Sequence, residues 1–212
     1  KKMFSEQQDI FYYITLENEN YLHPKLPDNI EQGIIKGMYQ FHSENNYSKK
    51  VQLLASGSMV YEAMKASSLL KKDWKIDATV WSVTSYSELH REAEDKSRWN
   101  ILHPDEKYRE SYVASCIKKE NGPVIAISDY VKLVAEQISP YIDCDFVALG
   151  TDGFGRSENR EKLRHFFEIN HYYITLTALE SLSKQGVIEK NYVKQAIKKY
   201  QLDPDKPNPI KV

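Results

Sequence analysis

VQLLASG (residues 51–57) runs directly into SMVYEAMKASSLLKKD (residues 58–73), and this junction decides the fold. The first part is short, apolar and closed by a glycine, which reads as a strand. The second places Met59, Val60, Ala63, Met64, Leu69 and Leu70 close to helical spacing. The Gly57 turn therefore joins a strand to a helix. The same order recurs in ATVWSVTS (78–85) before SELHREAEDKSRW (87–99), and in PVIAISD (123–129) before YVKLVAEQISPYI (130–142). It appears a fourth time in DFVALG (145–150), which reaches NREKLRHFFE (159–168) through a glycine-rich loop. Strands and helices alternating through short connections imply right-handed crossovers and a mainly parallel sheet. GMYQFHS (37–43), joined to VQLLASG by the polar loop ENNYSKK, reads as an antiparallel partner at the sheet edge. The expectation is one three-layer α/β domain.

Working outward, NIEQGIIK (29–36) is a short helix, and HYYITLTALESLSKQG (171–186) and NYVKQAIKKYQL (191–202) are two more before a proline-rich tail. DIFYYITL (9–16) has the β-branched and aromatic content of a strand. ENENYLHPKLPD follows it, with Pro24 and Pro27 ending any regular element, and is a linker. The chain starts at Lys1 and enters a strand almost at once, which suggests a piece of a longer protein. No repeat of fixed period and no low-complexity tract is present.

Composition removes several classes. Lys and Arg number 29 against 30 Asp and Glu, so the basic excess that phosphate-backbone binding uses is missing and nucleic acid is not an expected partner. Apolar runs are too short for a membrane span and the N-terminus lacks a signal-peptide core, which predicts a cytoplasmic protein. Cys116 and Cys144 form no CxxC pair and read as reduced core thiols. The histidines are scattered without ligand spacing, and no metal site is expected. The 15 tyrosines, with clusters at Tyr12, Tyr13 and Tyr21 and at Tyr172 and Tyr173, suit core packing and also interfaces.

The loop GTDGFGRS (150–157) is the strongest candidate for chemistry. It follows a strand at the carboxyl edge, where ligands of α/β proteins sit. Its glycines match neither the dinucleotide fingerprint nor a Walker loop. Two readings stay open for Gly150, Asp152, Gly153, Gly155 and Arg156: an anion cradle of backbone amides with Arg156, or a turn in which Asp152 bonds amides and Arg156 pairs with a carboxylate. Asp152-Gly153 also looks like part of a thiamine diphosphate and Mg2+ motif, but Asn159, Asn170 and Asn191 fall at spacings that do not complete it.

The strings YYIT-x4-NYxxPxxP, KVQLLxSGS, VxSVTSxxEL, RWNxLHP, GTDGFGRSxxRExLRxxFE and DxDKxNP, spread over the whole chain, closely resemble the C-terminal region of the homodimeric, bacterial-type pyruvate dehydrogenase first component. The resemblance implies a transketolase C-terminal-like domain over residues 28–212, with a mixed sheet of about five strands covered by helices on both faces. Residues 1–27 would be the last strand of a preceding pyrimidine-binding domain and its linker. It further implies a parent that decarboxylates pyruvate on thiamine diphosphate and reductively acetylates the lipoyl group of dihydrolipoyl acetyltransferase. Thiamine diphosphate and Mg2+ would be held by domains outside this chain, so no cofactor and no catalytic residue are expected within it. Its expected partners are its own N-terminal and middle domains, the second subunit of a homodimer and the acetyltransferase. Asn18, Glu19, Asn20, Tyr21 and His23 would lie nearest the catalytic domain and line the substrate channel. An independent small-anion-binding module, or a docking module for a partner, is the alternative.

Overall fold

The computed structural model describes residues 1–12, 20–22 and 24–212. Its centre is a five-stranded sheet: β1 (Met38–His42), β2 (Lys50–Ser56), β3 (Asp77–Val83), β4 (Val124–Ile127) and β5 (Phe146–Leu149), in the order β1-β3-β2-β4-β5. β2 runs parallel to β3 and to β4, with Leu53 opposite Val80 on one side and Ile125 on the other, and β4 runs parallel to β5. β1 is antiparallel and takes the outer edge, as expected, but it pairs with β3 rather than with β2. The polar loop between β1 and β2 is long enough to step over β3, and Asp77 holds it there by accepting the backbone N–H groups of Asn46 and Tyr47.

Three layers follow from the two-residue alternation of side chains along a strand. Val51, Leu53 and Ala55 of β2 and Ile125 and Ile127 of β4 face one core, with α2 (Met59–Leu69), α7 (His171–Lys184) and α8 (Lys190–Lys199) over it. Leu54, Trp81, Val124 and Ala126 face the other, under α3 (Tyr86–Leu102), α4 (Tyr112–Ile117) and α5 (Lys132–Glu136). A strand apolar on both faces, like β2, belongs at the centre of a parallel sheet. Each fully buried Leu or Ile contributes about 1.5–3 kcal/mol by leaving water. Gln52, a polar residue in this setting, is 1% exposed. It accepts from Trp81 Nε1 (3.1 Å) and donates to the Ile117 carbonyl (3.1 Å).

Several elements depart from the sequence reading in detail. α2 ends in a π-helical turn (Leu70–Trp74), stopped by Lys75 at φ 54°. The helix expected over 130–142 is confined to α5, because Pro140 has no N–H to continue it; a 3₁₀ turn (Ser139–Tyr141) follows. α4 was not expected. It is capped by Ser111, whose hydroxyl accepts from Ala114 N (3.3 Å). α1 (Glu31–Lys36) and α6 (Arg160–Phe166) fall where expected. Of the strand expected over 9–16, residues 9–12 are exposed and not in a strand, and residues 13–16 lie outside the described residues. Cys116 is buried and Cys144 half-buried, both as free thiols.

Candidate functional site

The parallel strands β2, β4 and β5 end at one edge of the sheet, and the polar groups of the chain converge there. After β2 the backbone turns through Gly57 (φ 54°) into α2. This puts Ser58 against Asp129, at the end of β4, to which its hydroxyl donates (3.4 Å). One turn further along α2 stands Glu62, whose side chain is 4% exposed. A carboxylate this buried must be surrounded by donors. His171 supplies two, its backbone N–H (2.9 Å) and Nδ1 (2.7 Å); Lys65 Nζ (3.0 Å) and Arg164 Nη1 (3.3 Å) supply the others.

Burial alone would raise the Glu62 pKa, but the side-chain and backbone bonds from His171, then that from Lys65, hold it down at about 2. Glu62 is therefore ionised at neutral pH, and His171 Nδ1 carries the proton of their hydrogen bond. Local sequence fixes His171 in place. Asn170 caps α7 by accepting from Tyr172 N and Tyr173 N, so the helix begins under Glu62.

Arg164 reaches across the edge. Besides Glu62 it donates to Ser58 Oγ (3.1 Å) and to the Tyr21 hydroxyl (3.4 Å), while Arg160, one turn earlier on α6, donates to the same hydroxyl (2.7 Å). Tyr21 stacks on Tyr61 of α2 with ring centroids 5.2 Å apart, and Tyr61 donates to the Leu22 carbonyl (2.6 Å). Beside this network lies a cleft of ≈ 310 Å³. Asp129, Thr151, Arg156, Arg160 and Arg164 are among the residues that line it.

The loop 150–157 splits between the two readings left open by the sequence. Gly150 is glycine for packing: a Cβ there would sit 2.4 Å from the Tyr130 carbonyl oxygen. Asp152 accepts from Lys132 N (3.1 Å) and pairs with Lys132 Nζ (3.6 Å), so both its oxygens serve the α5 turn. Gly153 takes φ 95° against the tail at Pro209 and Ile210. These three build structure. Among the described residues Arg156 pairs with no carboxylate; its guanidinium lies 5.4 Å from the Phe166 ring centroid at the cleft wall. Gly155 also lines the cleft.

Of the residues expected to line a channel, Asn20 is exposed and Tyr21 joins the arginines of α6; Asn18, Glu19 and His23 lie outside the described residues. Sequence reasoning missed Glu62, Arg160, Arg164 and His171. Two signals were available: a carboxylate at the apolar face of α2, and arginines recurring every four residues at 156, 160 and 164. Among the described residues no group of three or more His, Cys, Asp or Glu side chains is arranged to hold a metal ion, and no helix is long and apolar enough to cross a membrane.

Comparison with known proteins places this architecture. The chain is 52% identical to a pyruvate dehydrogenase E1 component from Cupriavidus necator along its whole length. It is 49% identical to one from Pseudomonas aeruginosa and 44% to one from Escherichia coli K12, over 99% of the chain in each case. It spans 24% of the length of each of these relatives. Among solved structures, a transketolase from Pichia stipitis superposes with a TM-score of 0.52 at 18% identity, covering 77% of this chain and 20% of that one. The family model of the transketolase-like TK C-terminal domain matches residues 37–170, from the start of the antiparallel edge strand to the cap of α7. By that match, and by the five-stranded mixed sheet behind it, the chain belongs to the transketolase-like TK C-terminal domain family.

Proposed function

We propose that the chain serves as the C-terminal domain of a cytoplasmic, homodimeric, pyruvate dehydrogenase E1-type enzyme. The full protein would decarboxylate pyruvate on thiamine diphosphate with Mg2+ and pass the acetyl group to the lipoyl group of dihydrolipoyl acetyltransferase. The observation that carries this reading is the end-to-end likeness to E1 components at 52% identity, combined with a span of about a quarter of their length. In this reading thiamine supplies the electron sink and is bound elsewhere in the protein. The domain's own part is to pack against the other domains and the second subunit. The spending of Asp152 and Glu62 on internal bonds supports this division, since neither is left to hold a metal or to move a proton.

The test is immunocapture of the endogenous polypeptide from source cells. The expected product is about four times heavier than 24.7 kDa. It reduces an artificial electron acceptor with pyruvate when thiamine diphosphate and Mg2+ are added, whereas the 212-residue chain does not. A native product of 24.7 kDa without that activity would overturn the reading.

A further inference from the structure

We infer that residues 203–211 form a releasable strap: the Lys206 ammonium latches the C-terminal end of α6, and unlatching loosens that end while the sheet stays folded. The inference goes beyond the domain's packing role and does not depend on it.

The strap leaves the body after α8, at the buried Leu202, and returns to it at Pro209, which is buried too. Between these anchors Asp203, Pro204, Asp205, Pro207 and Asn208 are exposed. Lys206 is the exception, with its side chain 14% exposed. It donates to the Phe166 carbonyl (2.6 Å) and to Glu168 Oε1 (2.9 Å). Its ammonium also lies 5.4 Å and 5.7 Å from the ring centroids of Phe166 and Tyr173. A cation bonded to the last carbonyls of a helix opposes the negative end of the helix dipole, and charge-assisted bonds are the stronger kind.

The place gripped is one that needs holding. α6 is followed by Glu168 at φ 62°, in the left-handed region that a residue with a Cβ enters at a cost. The turn is closed by bonds from Phe167 N to the Leu163 carbonyl (2.9 Å) and from Ile169 N to the Arg164 carbonyl (2.9 Å). Both acceptors of Lys206 belong to this turn, so one ammonium holds it shut. Arg164, in the same turn, is the residue that bonds Glu62 and Ser58, which links the latch to the buried carboxylate.

On its other side the strap meets the loop after β5. Gly153 takes φ 95° where a Cβ would come within 3.1 Å of the Pro209 carbonyl oxygen. Between strap and body lies a cavity of ≈ 220 Å³, with Lys206, Asn208 and Pro209 among its lining residues from the strap, and Asp152, Phe167 and Glu168 among those from the body. A segment that spans a cavity is fastened at its anchors rather than along its length, and such units open locally at less cost than the whole fold. Pro204, Pro207 and Pro209 stiffen the strap, so it loses little backbone freedom when it closes again.

The experiment is native-state hydrogen exchange, followed by NMR, on the 212-residue chain and two variants. Lys206→Met keeps the stem and removes the charge. Lys211→Met removes an exposed charge from the same strap, away from the latch, and serves as the control. In the unaltered chain the Lys206 and Lys211 amides should exchange first, those of Phe167 and Ile169 next, and those of Leu53 and Ile125 in the sheet last. Lys206→Met should speed exchange at Phe167 and Ile169 about tenfold or more, as loss of charged hydrogen bonds does. Leu53 and Ile125 should still exchange about tenfold or more slowly than these two in the same variant. Lys211→Met should leave Phe167 and Ile169 within about twofold of the unaltered chain, and circular dichroism establishes that both variants keep the fold. Exchange at Phe167 and Ile169 unchanged in a folded Lys206→Met would overturn the inference. So would a result readable without any variant: Phe167 and Ile169 exchanging in step with Leu53 and Ile125, or ahead of the strap, in the unaltered chain.

Discussion

Replacing Glu62 by Gln should remove a specific acid-sensitive part of the chain's stability. Glu62 titrates at about 2 in the folded protein against an ordinary value of 4.5. Between those limits the unfolded chain takes up a proton at this position that the folded chain refuses, so folding weakens as pH falls from 4.5 towards 2 and keeps the full contribution above 4.5. The interval, at 1.36 kcal/mol per pH unit, sets a ceiling of about 3 kcal/mol. One partner, Lys65, is 58% exposed and screened by solvent, which brings the working figure to about 2 kcal/mol. Glu62→Gln keeps an acceptor for His171 but leaves the Arg164 guanidinium, 14% exposed, without its counter-charge. It should therefore lower stability at pH 7 by about 2 kcal/mol. Urea denaturation followed by tryptophan fluorescence, repeated from pH 6 to pH 2.5, reads both quantities. The gap between the native and variant curves should be constant above pH 5 and close progressively below 4.5. A gap that stays constant through the acid range would refute the assignment of Glu62 as a buried, donor-saturated carboxylate.

Two further substitutions probe the scaffold. Gln52→Ala leaves Trp81 Nε1 and the Ile117 carbonyl without their buried partner, and should cost about 1–3 kcal/mol in the same denaturation assay; a change below 0.5 kcal/mol would show that water replaces the amide. Gly150→Ala drives a methyl to 2.4 Å from the Tyr130 carbonyl oxygen, so β5 and the α5 turn must separate. A loss of about 1–3 kcal/mol is expected, and an unchanged melting temperature would show that the loop has room to move.

The sheet was legible because its evidence is local. VQLLASG, ATVWSVTS, PVIAISD and DFVALG each carry strand-length apolar content closed by turn residues, and each sits before a helical pattern; parallel pairing follows from that order. The partner of β1 was not legible. Nothing in GMYQFHS distinguishes an approach to β2 from a step over it to β3, because that choice rests on a loop contact with Asp77, thirty residues away. α4 was missed for the opposite reason, since its six residues are too few to show a period. The site was half legible. Position after a strand pointed to loop 150–157, but much of that loop is packing, and two of the three arginines that line the cleft, Arg160 and Arg164, read in sequence as ordinary residues of a polar helix. Their meaning comes from Tyr21, Ser58 and Glu62, brought to them from 102 to 143 residues away. No local pattern encodes such contacts.

The grip of Tyr21 has a mechanical consequence. Its hydroxyl is held by Arg160 and Arg164 and its ring lies on Tyr61, which in turn ties down Leu22. A pull arriving along the backbone from before residue 20 is therefore delivered to α6 and α2 at the carboxyl edge, and does not peel the sheet from β1. The segment works as a tether fastened at the mouth of the arginine cleft.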